Sequence, residues 1–215
     1  MDRRKALKNM GLSLGYVVAT PTLIGIVQSC KNEKTLEWTP DFFTPDEGKV
    51  ITQLVDIILP KTDTPSASEV QVNLFIDRFA DQVMQKEQQD FVKMSMQQFI
   101  EKAMEDSGKK ERRDLTQEDL EPVLAESLKV TKEEEVKLFE VLNTFHEAVA
   151  QGKPAKLDDE VSRFAFANNL RGMTIWGYKT SEYVGEEVLA YLPLPGEYIA
   201  CGDVEELTGG KAWSI

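Results

Sequence analysis

Side chains suited to catalysis are scarce in this sequence. It contains one histidine, His146, and two cysteines, Cys30 and Cys201, among 215 residues. A serine nucleophile needs a neighbouring base, and His146 is the only imidazole that could provide one. Because His146 lies on a predicted amphipathic helix, a packed or surface role is the ordinary interpretation. Zinc and haem sites need several His or Cys ligands at short spacing. The sequence therefore predicts no catalytic residue and no metal ligand.

Motifs that bind nucleotide or haem cofactors are missing from the sequence. It has no Gly-x-Gly-x-x-Gly, no Gly-x-x-x-x-Gly-Lys-Ser/Thr and no Cys-x-x-Cys-His. Acidic runs occur at residues 133–135 and 158–160. Both stand at predicted helix starts, where the helix dipole favours negative charge, so we interpret them as structural. We expect no cofactor in this chain, and an enzyme that works through carboxylates remains an alternative.

The net charge restricts the class of partner. The chain has 37 acidic and 25 basic side chains, a net charge of −12. The first 29 residues carry four basic side chains against one acidic one, so the remainder has a net charge of −15. A surface this acidic repels phosphate backbones, and we therefore predict that the protein does not bind nucleic acid.

The N-terminus has the layout of an export signal. Arg3 and Arg4 precede an apolar segment at residues 10–27 without charged residues, which is similar to a twin-arginine signal. The sequence Val-Gln-Ser-Cys that ends at Cys30 resembles a lipoprotein cleavage site, which would make Cys30 the lipidated N-terminus. An uncleaved membrane helix and simple cleavage are the alternatives. All three predict an exported protein in the cell envelope, on the periplasmic side of a membrane.

Helical signals dominate the rest of the chain. We predict an export signal at residues 1–29, a linker at 30–43 and a single helical domain at 44–215. Thr44-Pro45-Asp46-Glu47 is a capping box that opens the first helix, and Ser66-Ala67-Ser68-Glu69 is predicted to open the second. Apolar stripes at helical spacing predict buried faces. Members of the later stripes are Val72, Phe75, Ile76, Phe79 and Val83, and then Val136, Phe139, Leu142, Phe145 and Val149. The predicted fold is all-α, a compact bundle of roughly six to seven helices with an irregular Pro/Gly-rich C-terminal tail.

Two segments are more distinctive than a generic helix. The first runs Ile-Ile-Leu-Pro-Lys-Thr-Asp-Thr-Pro from Ile57 to Pro65, followed by Phe75-Ile76-Asp77. The second is Tyr-Leu-Pro-Leu-Pro-Gly-Glu-Tyr at residues 191–198. In the first, Pro60 ends a helix, Pro65 fixes a turn, and the Thr and Asp side chains can bond the local backbone. Such a loop is either a well-made connection between helices or a rigid surface that contacts a partner.

Together with the twin-arginine start, these segments resemble the gluconate 2-dehydrogenase subunit 3 family. The pattern of that family has an apolar helix ending Ile-Ile-Pro-x-Thr-Asp-Thr-Pro, then a Val…Phe-Ile-Asp helix and a late Pro-Gly-x-Tyr. The resemblance covers roughly residues 45–200 of this sequence. It departs from the family at Cys30, because many members have a simple cleaved signal and no lipid anchor.

The resemblance implies a small subunit that binds no redox cofactor. Its large partner would be a FAD-containing oxidoreductase acting on a sugar or sugar acid, in many complexes together with a cytochrome c. The small subunit would help the flavoprotein to mature, be exported and attach to the membrane. A stand-alone lipid-anchored helical binding protein of the cell envelope is the alternative function.

Under this interpretation the two distinctive segments contact the large subunit. The predicted partner-binding residues are Thr62, Asp63, Thr64, Pro65, Pro195, Gly196 and Tyr198, with Trp176, Tyr178 and Trp213 as further aromatic candidates. If Cys30 carries lipid, Cys201 has no partner within the chain. An odd cysteine in an exported protein predicts an intermolecular disulfide or a free thiol, and a buried unreactive cysteine is the alternative.

Overall fold

A computed structural model describes residues 38–192 and 201–214, together with residues 194, 196 and 199. Within these residues the chain forms seven α-helices, one 3₁₀ turn, one π-helical turn and a single β-bridge. The helices are α1 (Pro45–Ile58), α2 (Val72–Gln82), α3 (Lys86–Ser107), α4 (Gln117–Leu128), α5 (Lys132–Ala150), α6 (Asp159–Lys179) and α7 (Val204–Thr208). The 3₁₀ turn is Arg112–Asp114, between α3 and α4, and the π turn is Val184–Val188, after α6. The prediction of an all-α bundle is confirmed.

Helix starts follow the local capping signals. Thr44 Oγ1 accepts from the Glu47 N–H, and the Glu47 side chain accepts from the Thr44 N–H, which completes a capping box at α1. Thr131 and Glu134 form the same reciprocal pair at α5. The helix stop at Pro60 is also as predicted: α1 ends at Ile58, since the residue before a proline avoids helical geometry.

The main core lies between α1, α2, α3, α4 and α6. The two long helices α3 and α6 pack along one another, with Phe99 and Phe166 in ring contact at 5.2 Å between centroids. Fully buried side chains of this cluster include Val50, Ile51, Leu54, Val55, Val72, Met96, Phe99, Ile100, Leu120 and Val123. This close packing makes the helical core rigid, and the loops described below begin and end on it.

The predicted start of the second helix was wrong. Residues 66–69 form a turn, and α2 begins at Val72 after Gln71, which has a left-handed backbone with φ 62°. The cause is a tertiary contact, because the Asp56 carboxylate accepts from both the backbone N–H and the hydroxyl of Ser68. Ser68 is thereby held in a turn next to α1 and does not begin the helix.

The predicted buried stripes were partly wrong at the periphery. In α5, Leu142 is buried, whereas Val136, Phe139 and Val149 are exposed. Val83, just after α2, is also exposed. Helix α5 packs onto a small second cluster formed with Leu157, Phe164 and Ala165, and onto Phe91 of α3. An amphipathic pattern records that a helix has an apolar side, but not how much of that side its neighbours cover.

Candidate partner-binding site

The loop between α1 and α2, residues 59–71, contains the Pro-x-Thr-Asp-Thr-Pro sequence and is held against α6. The Tyr178 hydroxyl donates to the Pro65 carbonyl oxygen at 2.9 Å and lies 3.0 Å from Thr64 Oγ1. Thr64 and Pro65 are half-buried. Two of the predicted partner-binding residues therefore have partners within the domain.

Further hydrogen bonds close the same loop. Ser68 donates to Asp56 through its N–H at 2.8 Å and its hydroxyl at 2.7 Å. Glu69 accepts from the Ser66 N–H at 2.9 Å and pairs with Lys61 at 2.6 Å. These bonds hold the second half of the loop next to the end of α1.

The tip of the α1–α2 loop remains open to solvent. Thr62 and Asp63 are exposed, as are Pro60 and Lys61. The Thr62 N–H donates to the Thr64 carbonyl oxygen at 3.0 Å, which gives the tip a tight turn. Within the described part of the chain, the Asp63 carboxylate has no hydrogen bond or ion pair. Of the predicted residues in this loop, Thr62 and Asp63 are therefore the two that a partner could contact.

Asp77, the last residue of the Phe-Ile-Asp sequence, holds the segment that precedes α1. Its buried carboxylate accepts from three consecutive backbone N–H groups: Asp41 at 2.7 Å, Phe42 at 3.1 Å and Phe43 at 2.9 Å. These bonds give the carboxylate its hydrogen-bond donors, and they give three backbone N–H groups an acceptor that they would otherwise lack. The role of Asp77 in this structure is to join the N-terminal segment to α2.

A cluster of charged side chains also contacts the segment that precedes α1. Glu47, which is only 7% exposed, pairs with Lys93 at 2.5 Å and with Arg112 at 3.3 Å. Burial acts to raise the pKa of the Glu47 carboxyl, but the hydrogen bonds from Lys93 and Thr44 outweigh it and hold the pKa below its ordinary value. The Lys93 ammonium also lies 4.5 Å from the Phe42 ring centroid, a cation–π contact.

The end of the chain forms a second loop, residues 190–214, which we call the C-terminal loop. The Ala190 N–H donates to the Ala212 carbonyl and the Ser214 N–H to the Ala190 carbonyl, both at 2.9 Å, so the two ends of the loop are joined. Of the predicted residues here, Gly196 is exposed, and Pro195 and Tyr198 lie outside the described residues. The Cys201 thiol is exposed and free, which contradicts the alternative of a buried cysteine.

The other aromatic candidates have different environments. Trp176 is 44% exposed and stands edge-on to Phe75 and Phe79, at 5.1 and 5.4 Å between centroids. Its neighbour Gly177 packs so closely on α2 that a Cβ there would lie 2.6 Å from the Phe75 ring. Only glycine permits this contact between α2 and α6 without a shift. Trp176 thus packs at the seam between the two helices and shows part of its surface to solvent.

In the structure, His146 packs against aromatic side chains. Its ring meets the ring of Phe91 edge-on at 4.7 Å and the ring of Phe145 at 5.5 Å. No group of three or more His, Cys, Asp or Glu side chains that could hold a metal ion occurs among the described residues. One small cavity of about 30 Å³ lies among apolar side chains of α1, α2, α3 and α6, with room for about one water molecule.

The predictions at the N-terminus lie outside the described residues. They concern Arg3 and Arg4 of the export signal and the lipidation site Cys30. Of the helices that the structure describes, none is both long enough and apolar enough to cross a bilayer.

Comparison with known proteins identifies the family. A family model described as Gluconate 2-dehydrogenase subunit 3 matches residues 45–196. The match begins at the first residue of α1, takes in the first distinctive segment and residues 191–196 of the second, and ends within the C-terminal loop. Curated proteins and solved structures gave no match. The family match covers most of the chain and agrees with the motif around the α1–α2 loop, and so the chain belongs to the gluconate 2-dehydrogenase subunit 3 family.

Proposed function

We propose that this chain is the non-catalytic accessory subunit of a membrane-bound FAD-dependent sugar or sugar-acid dehydrogenase complex. The observation that carries the proposal is the family match over residues 45–196, because the name of the family indicates a subunit of a dehydrogenase complex. In the proposed division of labour the flavoprotein partner binds FAD and performs the redox chemistry. This chain binds the folded flavoprotein and no cofactor of its own.

The proposal includes export and membrane attachment. The basic start with Arg3 and Arg4 supports a twin-arginine signal, a route that carries folded cargo, and Cys30 supports a lipid anchor. A cofactor-loaded flavoprotein without its own signal could then be exported together with this chain. The complex would lie on the periplasmic side of the membrane, with a cytochrome c as a further member.

The proposed contacts to the flavoprotein use the exposed residues of both distinctive segments. Thr62 and Asp63 at the tip of the α1–α2 loop are accessible, and so is Gly196 in the C-terminal loop. Because the Cys201 thiol is exposed, it can reach a cysteine of another chain. We propose an intermolecular disulfide at Cys201 that secures the complex after assembly.

The test is a pull-down of the tagged full-length chain from its native membranes in mild detergent. We expect a stoichiometric second protein and a flavin absorption spectrum in the eluate, while the chain purified alone is colourless. Recovery of the chain alone, without flavin, would favour the stand-alone binding protein. A flavin spectrum from the isolated chain would contradict the non-catalytic assignment.

The disulfide has its own readout in the same experiment. On a non-reducing gel the wild-type chain should migrate with its partner as one band, and Cys201→Ser should abolish that band. If the wild type gives no joint band, the covalent link is absent even where the complex is present. A band that persists in Cys201→Ser would mean that a cysteine other than Cys201 forms the link.

A further inference from the structure

The C-terminal loop is a built element and not a loose end. Its two ends are joined by the backbone bonds between Ala190 and residues 212–214. Inside it, α7 is capped by the Asp203 carboxylate, which accepts from the Glu205 N–H at 2.9 Å. Gly202 lies so near Leu207 that a Cβ would come within 2.6 Å of its Cδ1 atom. The described residues of the loop therefore pack on one another and present an outer surface to solvent.

That outer surface is unusually apolar. Six large apolar or aromatic side chains of the loop are each between 49% and 84% exposed: Tyr191, Leu192, Leu194, Ile199, Val204 and Trp213. Scattered single exposed apolar residues are normal on a protein surface. Six of them within one closed loop, two of them Tyr and Trp, are typical of the central part of a protein interface.

The charges in the sequence that carries this apolar surface are almost all negative. Between residues 182 and 214 the sequence has seven acidic side chains and one basic side chain, Lys211. The preceding body of the domain, residues 39–181, has 27 acidic and 18 basic side chains. All the ion pairs found among the described residues lie between Glu47 and Asp119, so none neutralises the acidic side chains near the loop.

These charges discriminate between the classes of molecule that could cover the loop. An anionic membrane surface is repelled by exposed carboxylates, and Glu186, Glu187 and Glu206 are exposed. A second copy of this chain would bring the same acidic groups opposite each other in a two-fold interface. A protein face with an apolar centre and a rim of Lys and Arg fits both the apolar side chains and the charge.

We propose that the C-terminal loop docks onto an apolar, basic-rimmed face of the flavoprotein subunit. This inference rests on the proposed function and specifies the surface used and the chemistry of the partner face. The exposed apolar residues of the loop lie on both sides of the end of the family match at residue 196, with Leu194 inside it and Val204 and Trp213 beyond it. The α1–α2 loop then adds a smaller contact through its exposed tip, Thr62 and Asp63, since its Thr64 and Pro65 are engaged with Tyr178.

The first experiment removes apolar surface from the loop in the full-length chain. Leu194→Ser with Val204→Ser is compared with Val136→Ser and Val141→Ser on α5, where Val136 is 58% exposed against 61% for Val204. With the flavoprotein recovered from the wild-type pull-down, the loop double variant should bind about tenfold more weakly or worse. The α5 double variant should bind like the wild type. Equal thermal melting of both variants controls for folding.

The second experiment reverses charge. Glu205→Lys with Glu206→Lys is matched by Glu133→Lys with Glu135→Lys, because both pairs stand in the first turn of a helix. The loop pair should slow association and remove most of its salt dependence, and the α5 pair should change neither. Wild-type binding that does not weaken with added salt would contradict the proposed basic rim on the flavoprotein face.

The outcomes separate the two proposals. If the wild-type chain captures no flavoprotein, the proposed function is lost. If it captures the flavoprotein and both loop variants do so equally well, only the docking surface is wrong. The docking surface is also overturned if the loop variants reduce retention on vesicles of phosphatidylglycerol and phosphatidylethanolamine, or convert a wild-type dimer to a monomer in light scattering.

Discussion

The α1–α2 loop and the C-terminal loop were both distinctive in the sequence, but the structure uses them differently. In the α1–α2 loop, Thr64, Pro65 and Ser68 are bonded to side chains of α6 and α1. In the C-terminal loop the large apolar side chains point mostly to solvent. A distinctive motif can therefore reflect the needs of folding, whereas uncovered apolar surface needs a partner to explain it.

The largest expected effect on stability concerns Asp77, the buried carboxylate of the Phe-Ile-Asp sequence. Asp77→Ala removes the acceptor of three N–H groups, and we expect the free energy of unfolding to fall by about 3 kcal/mol. The Phe43 N–H is left buried without a partner, and the part-buried bonds from Asp41 and Phe42 are lost as well. Asp63→Ala, at the exposed tip of the α1–α2 loop, should change it by less than about 0.5 kcal/mol. Chemical denaturation of both variants measures the two changes in the free energy of unfolding. Equal losses would mean that the contrast between the buried and exposed acids is wrong.

A smaller effect is expected at Tyr178, which fastens the α1–α2 loop to α6. Tyr178→Phe removes the hydroxyl that bonds the Pro65 carbonyl oxygen, and should cost about 1 kcal/mol. Tyr183→Phe is the matched control, since Tyr183 is 49% exposed and has no hydrogen bond through its hydroxyl within the described residues. Thermal or denaturant unfolding distinguishes them, and a neutral Tyr178→Phe would show that the loop holds its place without this bond.

A pH-dependent effect of similar size is expected at the start of α4. The hydrogen bonds from Lys109 and Thr116 lower the pKa of Asp119 to about 2, from an ordinary value of 3.8. This contribution to stability is complete above pH 3.8 and is lost as the pH falls towards 2, where the folded-state carboxyl is protonated. Asp119→Asn should therefore cost about 1 kcal/mol at pH 7 and almost nothing near pH 2.

The control for this pH effect lies in the C-terminal loop. Glu206→Gln should leave stability unchanged from pH 7 to pH 2, because Glu206 is exposed and forms no ion pair in the described part of the chain. Denaturation at several pH values tests both variants. A penalty for Asp119→Asn that does not vary with pH would contradict the role of the lowered pKa.

The smallest effects should come from the surface of the C-terminal loop. Leu194→Ser with Val204→Ser should change the free energy of unfolding of the isolated chain by less than about 0.5 kcal/mol, because both side chains are exposed before and after unfolding. The same substitutions are expected to weaken the complex. A large loss of stability in the isolated chain would show that the loop packs against the domain and is not reserved for a partner.

How far the sequence predicts this fold depends on the distance over which each signal acts. The start of α1 is predicted correctly because Thr44 meets its capping partner Glu47 three residues later, and Thr116 and Thr131 form capping boxes of the same spacing at α4 and α5. The start of α2 was missed because Ser68 is bonded to Asp56, twelve residues away. Local periodicity carries no information about such contacts.

The candidate site was harder to predict for the same reason. The sequence indicated the α1–α2 loop, but the bond that engages Pro65 comes from Tyr178, 113 residues later. The exposure of Val204 and Trp213 depends on how the C-terminal loop closes on Ala190, which composition alone does not reveal. An apolar residue in a sequence is expected to be buried until the structure shows that nothing covers it.

The Asp77 carboxylate also determines how the domain would respond to mechanical load. A force applied from the N-terminal side of Asp41 reaches the domain through the three N–H groups held by Asp77, before it reaches the cap of α1 at Thr44. Part of the load is therefore borne by α2 through Asp77 and is not passed entirely to the first turn of α1. A domain joined in this way can be held by its N-terminal segment while its fold remains intact.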